Sequence, residues 1–332
     1  MNLIVVLAVA LPMTLSAVPL SLQRDPHAEL FDAWKVKFEK KYDSGVEEVT
    51  RFGIWKDNME KVMLHNLKYN LGLTTFTLEM NLFADLTSEE FAAQRLGMRQ
   101  IVKTQPGFDS ESGVLSNPTS KDWRDDGWVT GVKDQGQCGS CWSFSTTGSM
   151  EGQHKNASGT LVSLSEQQLV DCDTYDYGCN GGLMSNAVLW LSQNQGSISE
   201  DDYPYVGYQQ SCKASGMTHV AQVSSYFDIT SGSESRLEDS IASVGPCSIA
   251  IDASHFSFQL YSGGVYFEPS CSSYRLDHGV LAVGYNNEDA DQKYWIVKNS
   301  WGTSWGEQGY IKMAKDKSNN CGVATQAGYP VV

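Results

Sequence analysis

Apolar residues along this chain change their rhythm twice. Between His27 and Tyr42, Leu30, Phe31, Trp34 and Phe38 recur at helical spacing among charged positions, which predicts an amphipathic helix. From Val46 to Tyr69, Glu47, Arg51, Trp55, Asn58, Val62 and Asn66 fall three or four apart, a single stripe along a longer helix in which Glu47 and Arg51 can pair. Phe76 to Asp85 reads as strand-like. Thr87-Ser-Glu-Glu90 then forms a capping box opening a short helix over 89–95. Between Gly97 and Ser120 the chain turns to Gly, Ser, Pro, Gln and Asp without periodicity, the texture of an extended linker. A helix is next predicted from Cys141, with Ser145, Gly148, Ser149 and Gly152 on one small face. That face admits close approach by another segment, but its residues are poor helix formers, so tertiary packing must hold the helix. Ser165 and Gln168 predict another capped helix, and Gly181-Gly182-Leu183-Met184 leads into a third over 185–195. Beyond Tyr226, short apolar runs at 248–251, 264–267, 280–285, 294–297 and 310–313 are separated by Gly, Asn and Ser, as strands would be. The whole predicts an α+β protein, helical first and β-rich last, without internal repeats.

The first residues change this picture. Leu3 to Leu11 is apolar and is followed by Ser16-Ala17, the pattern of a secretory signal cleaved near Ala17, although no Lys or Arg precedes it. No other run approaches the ~20 apolar residues of a membrane span, so no stable membrane anchor is expected. With 332 residues the chain can bury two cores, and its 41% hydrophobic and 19% charged composition is ordinary for a globular protein. The net charge of −15 is concentrated after residue 116, where 24 Asp and Glu face 12 Lys and Arg. A surface this acidic argues against nucleic acid as a partner and suits an acidic compartment. Eight cysteines behind a signal peptide imply disulfides.

Candidate chemistry centres on Gln135-Gly-Gln-Cys138-Gly-Ser-Cys141-Trp-Ser-Phe-Ser145. A cysteine at a helix N-terminus receives unpaired backbone N–H groups and the positive end of the helix dipole, both of which favour a thiolate. A thiolate nucleophile needs an imidazole to handle protons and an acceptor to orient that imidazole. Leu276-Asp277-His278-Gly279 and Lys298-Asn299-Ser300-Trp301-Gly302-Thr303-Ser304-Trp305 offer both, His278 and Asn299, beside strand-like runs. The competing readings of Cys138 and Cys141 are a redox pair or a zinc half-site. The absence of a βαβ context speaks against the first and the lack of a second pair against the second.

Cys-Gly-Ser-Cys-Trp, Asp-His-Gly and Asn-Ser-Trp-Gly, in this order, resemble the papain family of cysteine peptidases, nearest its cathepsin L-like branch. In that family the His and Asn lie roughly 130–150 residues beyond the nucleophile. Asn299 is slightly farther, as an inserted residue or two in a loop such as 286–292 would allow. The resemblance implies a papain-like two-lobed fold, a helical lobe at roughly 127–225 and a β-barrel-like lobe at roughly 226–332, preceded by a mainly helical inhibitory prodomain at 18–116. Trp123-Arg124 resembles the start of the mature domain, expected from residue 117. The Glu47 to Asn66 stripe resembles the interspersed Glu-Arg-Phe-Asn-Ile-Asn propeptide motif, and Asn81, Phe83 and Asp85 a second one, with Glu79 where glycine is often found.

Carried over residue by residue, the resemblance makes Cys141 the nucleophile, His278 the general acid and base, and Asn299 its orienting acceptor. Gln135 joins the Cys141 N–H as oxyanion donor, and Trp301 shields the His278–Asn299 contact. Gly181 and Gly182 would pair with substrate main chain. Leu183, Met184, Ala250, Leu276 and Gly279 would line the pocket for the residue two before the scissile bond, with Gln326 at its floor and Trp305 also in the binding site. Disulfides would join Cys138 to Cys179, Cys172 to Cys212 and Cys271 to Cys321, leaving Cys247 as a buried hydrophobe. No metal or organic cofactor is needed. Expected partners are protein and peptide substrates, the chain's own propeptide running reversed through the cleft, and cystatin-like inhibitors; a monomer is expected. Activation is expected at low pH by cleavage between about Gly107 and Asn117, in a lysosome or an extracellular digestive space reached by the secretory pathway. Without a loop that would block one cleft end, endopeptidase action is favoured, and bulky apolar side chains should suit the pocket. Asn156-Ala157-Ser158 could carry an N-glycan. A catalytically weak binding protein, or a prodomain inhibiting other peptidases, are the alternative functions.

Overall fold

The computed structural model describes residues 25–98 and 117–332, so the signal peptide and the expected processing segment lie outside the described residues. Three helices come first: α1 (Ala28–Lys37), α2 (Gly45–Asn70) and, after the short strand β1 (Phe76–Leu78), α3 (Ser88–Arg95). Of the predicted apolar face of α1, Phe31 and Trp34 are buried, whereas Leu30 is 56% exposed. Trp55, Asn58 and Val62 form the buried stripe of α2. Asn58 Nδ2 donates to the carbonyls of Ala84 and Leu86, and Asn66 exchanges two hydrogen bonds with Leu78, as a neighbouring strand would. Arg51 makes the predicted pairing with Glu47, Nε to Oε1 at 3.9 Å, and adds a shorter one to Glu90 on α3, whose carboxylate lies 2.7 Å from Nη1. Thr87 and Glu90 form the predicted capping box.

The strand-like reading of 76–85 holds only for Phe76–Leu78. After it the backbone turns, Asn81 Oδ1 accepting from Phe83 N and Asn81 Nδ2 donating to Gln259 O. Side-chain amides here replace a ladder. Glu79 keeps a negative φ, so glycine is not required at that position.

The rest of the chain contains β2 (Ser120–Asp122), α4 (Cys141–Ser158), α5 (Glu166–Cys172), α6 (Met184–Gln193), β3 (Ser197–Ile198), β4 (His219–Ala221), β5 (Ser225–Asp228), α7 (Glu234–Ser243) and β6 (Cys247–Ile251). These are followed by α8 (Phe256–Gln259), β7 (Tyr261–Tyr266), β8 (His278–Asn286), β9 (Tyr294–Lys298), β10 (Tyr310–Ala314) and β11 (Ala327–Val331). One sheet runs β1-β7-β10-β9-β8-β6-β11-β5, with β2 on β8; β7 and β10 are parallel and the other pairs antiparallel. The strand readings near 248, 264, 280, 294 and 310 are all present, whereas α7, β2, β5 and β11 were not predicted. Ser233 caps α7, and Leu237 and Ile241 are its buried residues, too few to announce themselves by period.

The small face of α4 meets the β-rich half, as its composition requires. Ser145 Oγ donates to Val280 O, Ser149 Oγ to Pro246 O, and Leu281 packs so closely on Gly148 that a Cβ there would lie 2.8 Å from its side chain. A separate apolar cluster of Trp142, Met150, Leu169, Val188, Leu191 and Ile198 holds the helical half. The aromatic core of α1 and α2 is continuous with that of the β-rich half, joined through Phe83, Phe91 and Trp301. Asn156 is exposed in the last turn of α4, inside the helix and not beyond it. Among the described residues no helix is long and apolar enough to cross a membrane.

Candidate active site

Cys141 is the first residue of α4, and its N-cap, Ser140, makes no side-chain cap. The Cys138–Cys179 disulfide ties the preceding turn to the 178–182 loop, with Gly139 N donating to Cys179 O. Cys172–Cys212 and Cys271–Cys321 are also bonded, and Cys141 and Cys247 are free and buried. Cys247 Sγ donates to the Gly245 carbonyl at 3.4 Å within the main apolar cluster, and burial pushes its thiol far up, the behaviour of a core residue.

β8 starts at His278 directly across from α4, and the next residue, Gly279, donates its N–H to Cys141 Sγ at 3.4 Å. His278 Nε2 lies 2.8 Å from Asn299 Oδ1, which also accepts Ser300 N. Because a carboxamide oxygen only accepts, Nε2 carries the proton in the neutral ring and Nδ1 is left as the base. Nδ1 is buried without a hydrogen-bond partner. Trp301 stacks on the imidazole at 4.6 Å between centroids, inclined by 24°, and covers the His278–Asn299 contact.

Burial dominates the titration of both groups. It pushes the Cys141 thiol up to about 11, against the N–H groups of Gly279, Gly97 and Trp142, and lowers His278 to about 4, against the Asn299 hydrogen bond. In this closed form burial favours the thiol and the neutral imidazole over the ion pair.

Gln135 is fully buried and its amide is fixed from one side: Oε1 accepts Ser300 Oγ at 2.7 Å and Trp301 Nε1 at 3.1 Å. Nε2 is thereby turned towards the cleft, where it donates to Arg95 O and Cys138 O, both at 2.9 Å.

What fills the cleft is the segment after α3. Arg95 O sits on Gln135, Gly182 N donates to Gly97 O at 3.0 Å, and Met98 N donates to Asp277 O at 3.0 Å. Met98 and Gly182 form a parallel bridge. Gly97 is required at the crossing, since a Cβ there would lie 2.0 Å from Gly139 O. Met98 packs into the apolar cluster containing Met184, Ala250 and Leu276. Gly279 abuts the Cys141 and Trp142 backbone and Met184 Sδ, and Leu183 is buried with its N–H on Asp176. Gln326 is half-buried behind the pocket, its carbonyl accepting Ala250 N.

Two of the residues expected at the cleft point elsewhere. Gly181 uses its N–H on Gly178 O and its carbonyl on Tyr177 N, so of the two glycines only Gly182 offers its amide to the cleft. Trp305 lies behind Trp301 among Phe258 and Tyr261, its Nε1 donating to Gln259 O. Gly97, Met98, Ser300 and Asp134, which pairs with Arg95 at 3.2 Å, were missed. Ser300 stood inside the Asn-Ser-Trp-Gly motif without a role of its own and Gly97 opened the unpatterned linker, whereas Met98 and Asp134 carried no signal.

The papain family cysteine protease model matches residues 117–331, and the cathepsin propeptide inhibitor domain (I29) matches residues 31–91. Procathepsin L of Mus musculus is 47% identical, covering 100% of this chain and of its own length. Cathepsin L of Sarcophaga peregrina is 45% identical over 100% of this chain and 99% of its own, and digestive cysteine proteinase 1 of Homarus americanus 49% over 91% and 94%. Among solved structures, digestive procathepsin L 3 of Tenebrio molitor larval midgut superimposes with a TM-score of 0.85 at 42% identity, covering 93% of this chain and 100% of that one.

Proposed function

Because the chain belongs to the papain family of cysteine proteases, as a cathepsin L-like zymogen with an inhibitory propeptide, we propose that Cys141, His278, Asn299 and Gln135 perform its peptide hydrolysis. The observation that carries this reading is the His278–Asn299 hydrogen bond, which leaves Nδ1 as the base one residue from the amide that touches Cys141 Sγ. With the cleft opened to water, the thiol proton passes to Nδ1 and the thiolate attacks the substrate carbonyl carbon. The oxyanion is held by Gln135 Nε2 and Cys141 N–H, each such donor contributing roughly 3–4 kcal/mol. The C–N bond breaks as imidazolium protonates the amine. Water, deprotonated by His278, then attacks the thioester and releases the acid and the free thiol.

Met98 in the cluster of Met184, Ala250 and Leu276 supports an apolar second subsite preferring Leu or Phe, with Arg weaker because Gln326 supplies no charge. A peptide-library profile dominated by Arg or Gly at that position would overturn the preference.

For activation we propose acid-driven loosening of the propeptide. Most hydrogen bonds across the interface are made by backbone and neutral amides; among the described residues one ion pair crosses it, Arg95–Asp134. Within the propeptide, burial disfavours ionised Glu90, but the Thr87 N–H and Arg51 outweigh it and hold Glu90 below its ordinary value. A depressed carboxyl contributes stability above its unfolded pKa that is lost as pH falls through the folded one, so acid weakens the Arg51–Glu90 tie. Glu79 works in the opposite sense, raised by burial, so its protonation favours docking. Processing within 107–117 at acidic pH is expected; a precursor left uncut and inactive at pH 4–5 with mature enzyme added would contradict it. The relatives named as cathepsin L and as digestive proteinases support a lysosomal or secreted digestive location.

A further inference from the structure

Beside Asn299, where α4 meets β8, lies a cavity of about 20 Å³. Its lining includes Ser145, Gly148, Val280, Glu166, Lys298 and Asn299. Two of these present buried polar atoms without a hydrogen-bond partner, Asn299 Nδ2 and Glu166 Oε2. The residues are 3% and 1% exposed, so bulk solvent does not satisfy them. Lys298 is 8% exposed, and its ammonium has three protons but donates only to Thr130 Oγ1, at 3.1 Å. The other oxygen of Glu166 is occupied: Oε1 accepts Lys133 Nζ at 2.7 Å and the Thr147 hydroxyl. Oε2 is therefore fixed as the free acceptor.

A single water needs roughly 10–15 Å³ and two to four polar partners. The cavity offers that space with two donors and one acceptor. We infer that it is a built site for one water molecule, which accepts from Asn299 Nδ2 and Lys298 Nζ and donates to Glu166 Oε2. Glu166 thereby becomes a positioning residue for the reaction. Asn299 Oδ1 is spent on His278 and Ser300 N, so the water holds the opposite end of the amide and resists the flip that would present an N–H to His278 Nε2. Burial, with Glu151 and Glu200, raises the Glu166 carboxyl to about 7 against the opposing pull of Lys133, so Oε2 serves as the acceptor in the ionised form above that pH.

The inference rests on the catalytic reading of Asn299 and His278, and its test has an arm independent of that reading. Crystals of mature enzyme with the thiol blocked should show one ordered water within hydrogen-bond reach of Asn299 Nδ2, Lys298 Nζ and Glu166 Oε2; an empty cavity overturns the site whether or not Cys141 is catalytic. The kinetic arm uses Glu166→Gln. Lys133 and Thr147 hold the amide oxygen at the Oε1 position, so an NH2 faces the water, which then meets three donors with two lone pairs. Above about pH 7, where Glu166 is ionised, we expect kcat per titrated thiol to fall about tenfold with KM unchanged, and Glu166→Gln combined with Lys298→Met to recover most of it by removing the surplus donor. Wild-type kcat in folded Glu166→Gln, or no recovery in the double variant, would overturn the positioning role.

Discussion

Gln135 and Cys247 mark the two extremes of what a single side chain does here. Gln135 is held by Ser300 and Trp301 so that its N–H faces the cleft, an arrangement of use only if charge develops there. Gln135→Ala should lower kcat by about 100- to 1,000-fold with little change in KM, measured on acid-activated enzyme per titrated thiol. Cys247, wholly buried in β6, should be silent in the chemistry: Cys247→Ala leaves kcat unchanged and costs about 1 kcal/mol of stability by denaturant unfolding. At this scale the sequence was informative wherever a motif carried chemistry. Cys141, His278, Asn299 and Gln135 converge on one cleft because motif residues are recognised by type and order. It misled at Gly181, since two adjacent glycines read alike until backbone direction decides which amide faces out. It also misled at Trp305, where an indole in a binding motif is indistinguishable in sequence from the one packed behind it.

Elements show the same division. Period and caps located α1, α2, α3 and the core strands, because burial on one face imposes a rhythm. They missed β2, β5 and β11, whose partners are distant in sequence, and α7, which buries two residues. The 173–182 loop adds an electrostatic feature that no periodicity encodes. Burial pushes Asp173 up to about 8, helped by hydrogen-bonded Asp176, whose own Oδ1 accepts Leu183 N and Asn186 Nδ2. The native state therefore keeps a proton on Asp173 that the unfolded chain releases above about pH 4, and stability falls as pH rises from there towards 8. Asp173→Asn supplies that donor permanently. It should raise Tm by about 2–6 °C at pH 7.5 and leave it unchanged at pH 4.5 in mature enzyme; equal shifts at both pH values would contradict the shared proton.

Across the whole molecule, the propeptide is built into the enzyme as well as laid over it. It adds β1 antiparallel to β7, contributes Phe83 and Phe91 to the packing on Trp301, and threads Arg95 to Met98 through the cleft in the parallel sense at Gly182. An extended backbone segment thus lies against the thiol helix and pairs with Gly182 where substrate main chain is expected. The crossing tolerates no side chain at residue 97. Gly97→Leu should give a precursor that hydrolyses a Phe-Arg fluorogenic peptide at neutral pH at least about tenfold faster than wild-type precursor, with mature enzyme unchanged. The measurement that tests the account most directly is mass-spectrometric mapping of thiol labelling by iodoacetamide at acidic pH, before and after propeptide removal. The account predicts an unlabelled precursor, then stoichiometric modification of Cys141 with loss of peptidase activity and none at Cys247. Modification of Cys141 at equal rates in both forms, or full activity after it is modified, would contradict the account.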